Sequence, residues 1–308
     1  MTGGPDPRSL AVIAPPPDTS DAAGRSRQRL LDALPSVEER HLEVGGIATA
    51  VLEGGTGSPL VLLHGAGEFA ATWAPVLPAL TRDHRVIVPD LPGHGASATH
   101  SALDAADVVT WLEELLDATC AHPPVVIGHL LGGGIALRVA SRDIATLQRL
   151  VLVDTLGLAP YRPAPSFALA LAGFMLRPTQ RSRDRMFQRC FLDLDAVQAE
   201  AGELWPHLAA YALDRARSPE LKRTLRQLMP ELGAALPPEQ LAAIAAPTTL
   251  IHGRHDRQVR LTVAQSASDR YGWPLYVIED AADDPAVEQP DRFLAALRTA
   301  VADAAEER

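Results

Sequence analysis

Short, unbroken apolar runs recur along the chain near residues 60–64, 85–90, 124–128, 148–153, 247–252 and 274–279, each bounded by glycine, proline or aspartate. Runs that do not alternate with polar residues are strands buried on both faces, as in a parallel sheet. Segments at 72–80, 103–118, 131–140, 260–270 and 291–303 instead space their apolar residues three and four apart, which predicts helices between the strands. Shorter segments at His41–Val44 and Ala48–Leu52 read as two opening antiparallel strands. The pattern predicts an α/β fold with an eight-stranded, mostly parallel sheet and helices on both faces. From 155 to 237 it changes: there is no convincing strand, and at least three helical stretches carry Phe167, Leu171, Phe174, Met175, Phe187, Phe191, Trp205 and Tyr211. This helical insertion divides the core into 39–154 and 238–308. Residues 1–22, rich in proline, glycine and aspartate, are expected to be disordered. Residues 23–38 hold a helical extension with Leu30, Leu31 and Leu34 on one side, closed by Pro35.

Composition narrows the functional class. At 308 residues the chain can hold one α/β domain with an insertion. The net charge of -10 disfavours nucleic acid as a partner. No apolar stretch reaches the roughly eighteen residues that a membrane span needs, and the run Leu10–Ala14 is too short for a secretory signal. Cys120 and Cys190 form no disulfide framework, so reduced thiols and a cytoplasmic setting are expected. Abundant alanine, arginine and proline with few lysines matches a high-GC bacterial coding bias. No cofactor or metal is called for, and oligomeric state is left open.

The most informative segment is Val125-Val126-Ile127-Gly128-His129-Leu130-Leu131-Gly132-Gly133. It has the frame of a strand-turn-helix nucleophile elbow, G-x-S-x-G, with leucine at the nucleophile position. Four further landmarks lie in register. They are Leu60 to Gly67 with Trp73 beyond it, the segment Val86 to Ser97 containing Asp90-Leu91-Pro92-Gly93-His94-Gly95, the segment Leu250 to Asp256, and Asp283 to Pro290. In this order they resemble the α/β-hydrolase superfamily, in its cap-bearing esterase, epoxide-hydrolase and C–C-hydrolase branch. The resemblance spans about residues 39 to 300. It implies that 155–237 is a cap over the active site and that Asp256 holds the place of the triad acid. It also implies backbone oxyanion donors at Ala66 and Leu131. Asp283 stands where this branch has histidine, in the frame G-H-x-P-x-x-E-Q-P.

With neither hydroxyl nor imidazole in place, acyl-enzyme chemistry loses its nucleophile and its base. The remaining candidates are carboxylates. Asp256 and Asp283 are expected to approach behind the elbow, where two carboxyls in low dielectric do not both ionise cheaply, so one could serve as acid and the other as base. Alternatively, Asp283 merely reaches water or a backbone amide, and Asp284 reads as a surface residue. Glu68 looks into the pocket or out to solvent. His129 is a further, weaker catalytic candidate, while His64 and His255 read as hydrogen-bonded framework. Leu130, Gly65, Trp73, Phe174 and Met175 are expected to line a pocket for an apolar small molecule, with Asp256 raising the pKa of Asp283. Arg177, Arg181, Arg183, Arg185 and Arg189 form either an anion site or a solvated helix face.

Three functions fit: a repurposed enzyme catalysing a non-hydrolytic step (cyclisation, elimination, isomerisation or a pericyclic reaction), a non-catalytic binding protein, and a hydrolase using carboxylate-activated water. All three share one expectation. A fluorophosphonate probe should give no stoichiometric labelling, and a labelled serine in the pocket would reveal a nucleophile that the motif does not contain.

Overall fold

The computed structural model of the protein describes residues 12–13, 21–99, 102–142 and 147–302. Eight strands form one sheet: β1 (Glu38–Val44), β2 (Ile47–Gly54), β3 (Pro59–Leu63), β4 (Arg85–Pro89), β5 (Val125–His129), β6 (Arg149–Val153), β7 (Thr248–Gly253) and β8 (Leu275–Ile278). Their spatial order is β1-β2-β4-β3-β5-β6-β7-β8. The pairings β1–β2 and β2–β4 are antiparallel, and the remaining five, from β4 to β8 in spatial order, are parallel. Every residue of β5, β6 and β7 is buried, so these runs carry no polar alternation.

Helices α1 (Asp21–Asp32), α2 (Leu77–Asp83), α3 (Ala105–Thr119) and α4 (Leu130–Ala140) precede the insertion, which contains α5 (Pro165–Leu176), α6 (Gln180–Cys190), α7 (Leu194–Ala201), α8 (Trp205–Arg217) and α9 (Pro219–Leu232). Then follow α10 (Pro238–Ala242), α11 (Leu261–Tyr271), α12 (Pro285–Glu288) and α13 (Pro290–Ala302). The single helix expected over 72–80 is divided into a 3₁₀ turn at Ala70–Trp73 and α2 beginning at Leu77. Its apolar residues meet a buried aspartate: Asp90 accepts the Ala70 N–H at 2.6 Å and fixes the turn. Most of the tail expected to be disordered at 1–22 lies outside the described residues. Val12 bridges to Leu42, and Ile13 donates its N–H to the His41 carbonyl.

Helix α1 is held by one charged residue. Arg27 pairs with Glu39 and with Asp90 (2.9 Å), and donates to the Tyr211 hydroxyl of α8 at 3.0 Å. The Asp90 side chain is fully buried and also accepts the Ala96 N–H at 2.8 Å. Leu30 and Leu34 enter the same apolar cluster as Tyr211 and the strand residues Val86 and Val88. The extension therefore joins the sheet, the 3₁₀ turn at Ala70–Trp73 and α8 of the insertion. Removing one partner of a buried pair leaves an uncompensated charge, so Arg27→Ala should destabilise the fold by about 3 kcal/mol in urea unfolding. A loss below ~1 kcal/mol would show that the apolar contacts alone hold α1.

Candidate active site

The turn from β5 into α4 is tight because three glycines permit it. A Cβ on Gly128 would lie 2.6 Å from the backbone of Gly133, and one on Gly132 would lie 2.6 Å from the Leu63 carbonyl oxygen. Leu130 stands at the apex with φ of +43°, left-handed for a residue with a Cβ. Its side chain is buried in the core cluster that also holds Leu63 and Leu131. Leu130 therefore does not form the floor of the cavity that its position in the motif suggested. An isobutyl group gains more by joining the core than by facing an opening. Leu131 is fully buried as well, so of the two expected oxyanion donors only Ala66 belongs to a cavity-lining residue.

The loop after β3 carries the first functional group. Glu68 folds back so that its Oε2 accepts the Gly65 N–H at 2.7 Å. A Cβ at position 65 would meet this carboxylate at 2.7 Å, so Gly65 lets Glu68 close onto its amide and does not itself line the cavity. The same Oε2 lies 3.3 Å from Nδ1 of His129, whose Nε2–H donates to the Asp283 carbonyl at 2.8 Å. Both imidazole nitrogens thus face acceptors. Burial alone would lower the pKa of His129, but the Glu68 charge outweighs it and holds the imidazole well above its ordinary range. Burial raises Glu68 and His129 pulls it down, with a net lowering. Trp73 packs edge-on to His129 and against Phe293 beneath this pair, not in the cavity. His64 is framework: Nδ1–H donates to its neighbour Gly65's carbonyl at 2.8 Å and Nε2 accepts the Leu91 N–H at 3.0 Å, which fixes the neutral tautomer. His255 is exposed, contrary to the framework role expected of it.

Asp283 and Asp284 enter the cavity from the loop before α12. Gln258 Nε2 donates to Asp283 Oδ2, while the Tyr161 hydroxyl donates to Gln258 Oε1 at 2.9 Å. Asp283 Oδ1 is buried with no hydrogen-bond partner. Burial lifts the Asp283 pKa to about 7, against the lowering effects of His129 and the Gln258 hydrogen bond. The neighbouring carboxylates Glu68 and Asp154 add to the rise, and Asp283 and Asp256 also repel one another, as expected. Asp256 turns the other way, accepting the Gln258 and Val259 amides at 2.6 and 3.0 Å. Its own pKa is raised by burial, then by Asp154 and Asp283. Asp284, read from sequence as a surface residue, lines the cavity beside Glu68 and His129. Burial places its carboxyl well above the usual range.

Among the described residues, two sets could bring ligand atoms around an ion: Glu68, His129 and Asp284, and Asp154, His252 and Asp256. In each, both imidazole nitrogens already face protein acceptors. His252 reaches Asp154 at 3.0 Å through Nδ1 and the Val259 carbonyl at 3.0 Å through Nε2. Both sets therefore read as ion-paired networks. Asp154, at φ of +44°, was not singled out in the sequence, where it ends an apolar strand without a motif.

Above the carboxylates lies a cavity of about 400 Å³. Phe167, Leu171, Phe174, Met175, Phe187, Phe191 and Trp205 of the insertion line it, with the rings of Phe187, Phe191 and Trp205 meeting tilted or edge-to-face at centroid separations of 5.4 to 6.3 Å. Phe174 and Met175, expected at the pocket from the family resemblance, are among these lining residues. Tyr211 does not line the cavity but packs edge-on to Phe69 at 4.7 Å. Cys190 and the exposed Arg226 complete features that sequence reasoning missed. The arginines of α6 stay outside it.

The Alpha/beta hydrolase family matches residues 60–296. The chain belongs to that family. It is 26% identical over 267 residues to the 2-hydroxy-6-oxo-6-(2'-aminophenyl)hexa-2,4-dienoic acid hydrolase of Metapseudomonas resinovorans, covering 83% of this chain and 88% of that protein. With the 2-hydroxymuconate semialdehyde hydrolase of Pseudomonas sp. (strain CF600) it shares 28% identity over 243 residues, 75% of this chain and 81% of that one. A solved meta-cleavage product hydrolase from Pseudomonas fluorescens IP01 superposes with a TM-score of 0.72 at 25% identity, covering 86% of this chain and 97% of the other. A membrane phospholipase A shares the fold alone, with a TM-score of 0.78 at 23% identity over 92% of this chain and 91% of that one.

The raised Asp283 pKa has a testable sign. Its proton is held more tightly in the folded than in the unfolded state, so the associated stability is fully present below pH ~4 and lost as pH rises to about 7. Asp283→Asn removes this titration. The variant should gain stability relative to the parent as pH is raised from 4 to 8, by about 1.4 kcal/mol for each tenfold difference in proton affinity between folded and unfolded chain. Thermal melts across that range check it, and a pH-independent difference would place the proton elsewhere.

Proposed function

We propose that this protein is an enzyme that binds an apolar small molecule beneath its cap and moves a proton on the ligand's polar head, in a non-hydrolytic step of isomerisation, elimination or cyclisation type. The observation that carries this reading is the Glu68 carboxylate folded onto the Gly65 amide within the oxyanion loop. Acyl transfer needs donors where an oxyanion develops, and a carboxylate there opposes that charge. No group at the cavity is an activated nucleophile in this reading. Leu130 has no attacking atom, and burial together with Asp283 pushes the Cys190 thiol up, which keeps it protonated. The Thr72 hydroxyl donates to the Phe69 carbonyl at 2.8 Å.

Asp283 is the proton carrier of choice. It faces the cavity, is held by Gln258 with Tyr161 behind it, and exchanges its proton near neutrality, where a general acid–base group is most effective. The curated relatives' names point to a substrate class, conjugated dienoic acids bearing a 2-hydroxyl and a 6-oxo group. In such a molecule the enol and ketone forms interconvert by proton transfer alone, and Arg226 at the rim offers a partner for the acid. A second reading, attack by water that Asp283 activates, is favoured by the relatives' being hydrolases.

Incubation of such a dienoate with the protein in deuterium oxide separates these readings. The expected outcome is deuterium at the carbon that receives the proton, without chain cleavage. Asp283→Asn should slow this at least ~100-fold while ligand affinity stays within about tenfold. Cleavage products would establish the hydrolytic reading. Saturable binding without exchange or cleavage would overturn catalysis in favour of a carrier.

A further inference from the structure

Helix α5 is apolar on two opposite sides. Phe167, Leu171, Phe174 and Met175 face the cavity, whereas Leu169, Ala172, Gly173 and Leu176 are exposed at i, i+3, i+4 and i+7, which is one helix face. Leu169 and Leu176 are 77% and 80% exposed, far beyond what a globular surface needs from leucine. Helix α6 packs directly against α5 and exposes Arg181, Arg185 and Arg189 at i, i+4 and i+8, with Arg177 exposed in the connecting turn. Among the described ion pairs, the one arginine of α6 that is engaged is Arg183, which turns inward to Asp184 and the Ala209 carbonyl. Exposed guanidinium groups on α6 therefore accompany exposed leucines on the helix packed against it, in a chain whose overall charge is -10.

We propose that the outer face of the α5–α6 hairpin docks on an anionic lipid bilayer, with Leu169 and Leu176 entering the boundary between headgroups and acyl chains and the arginines meeting lipid phosphates. An apolar layer beneath a negatively charged layer is the surface complementary to this combination. A second copy of the chain matches the leucines, but with a two-fold axis running across α5 it would set the arginines of the two copies toward one another. Among the described residues no helix is long and apolar enough to cross a membrane, and the docking proposed is peripheral. Docking would set the outer wall of the cavity on the bilayer, because α5 is that wall. The inference stands apart from the proposed reaction and is measured without substrate.

Co-sedimentation with phosphatidylcholine vesicles, with and without phosphatidylglycerol, tests it. The intact protein should sediment with the anionic vesicles and be released by salt. Binding should fall about tenfold or more in the Arg181→Gln/Arg185→Gln double variant and likewise in Leu169→Gln/Leu176→Gln. Circular dichroism should show both variants folded, since all four side chains are on the outside. Absence of vesicle binding, or binding undiminished in both variants, would overturn the proposal. A concentration-dependent dimer by light scattering, abolished by Leu169→Gln/Leu176→Gln, would also overturn it and assign the face to a second copy.

Discussion

The imidazole of His129 ties the site together. It lies at the end of β5, and its two nitrogens reach Glu68 in the loop after β3 and the Asp283 carbonyl in the loop before α12. Three segments far apart in sequence meet on one buried ring. Because the ring faces a carboxylate and a carbonyl, it carries the positive charge that lets Glu68 remain ionised below an apolar cavity. Without that cation, Glu68, Asp283 and Asp284 would repel one another in a poorly solvated space.

Their different proton affinities follow from this arrangement. Glu68 takes the imidazolium and the Gly65 amide and stays low. Asp283 receives one amide donor from Gln258 and lies under the cap, which leaves it near neutrality. Asp256, a member of the same acidic region, spends its oxygens on the turn at Gln258 and Val259. Like side chains thus acquire distinct roles through the donors that reach them.

The cap works on two faces. Its aromatic residues close the cavity from above, while on the outside α5 presents leucines and α6 presents arginines. Helix α1 fixes the cap to the core through Arg27, with the guanidinium held between Asp90 of the core and Tyr211 of α8.

The sheet and its surrounding helices were legible in the chain itself. Buried parallel strands such as Val125–His129 must be apolar throughout, and the elbow needs glycine wherever backbones close to within 3 Å. Phe174 and Met175 were candidates for the cavity because the family resemblance implies a cap there, and both line it. Other features were beyond the sequence because they depend on where side chains turn. Leu130 faces the core, Asp256 faces its own turn, and Asp284, read from the sequence as a surface residue, lines the cavity. The partnership of Glu68 with His129 joins residues 61 positions apart, a separation carrying no local periodicity. Local pattern specifies which backbone elements form. The protonation and direction of a buried carboxyl are decided by the donors and charges that tertiary packing brings beside it.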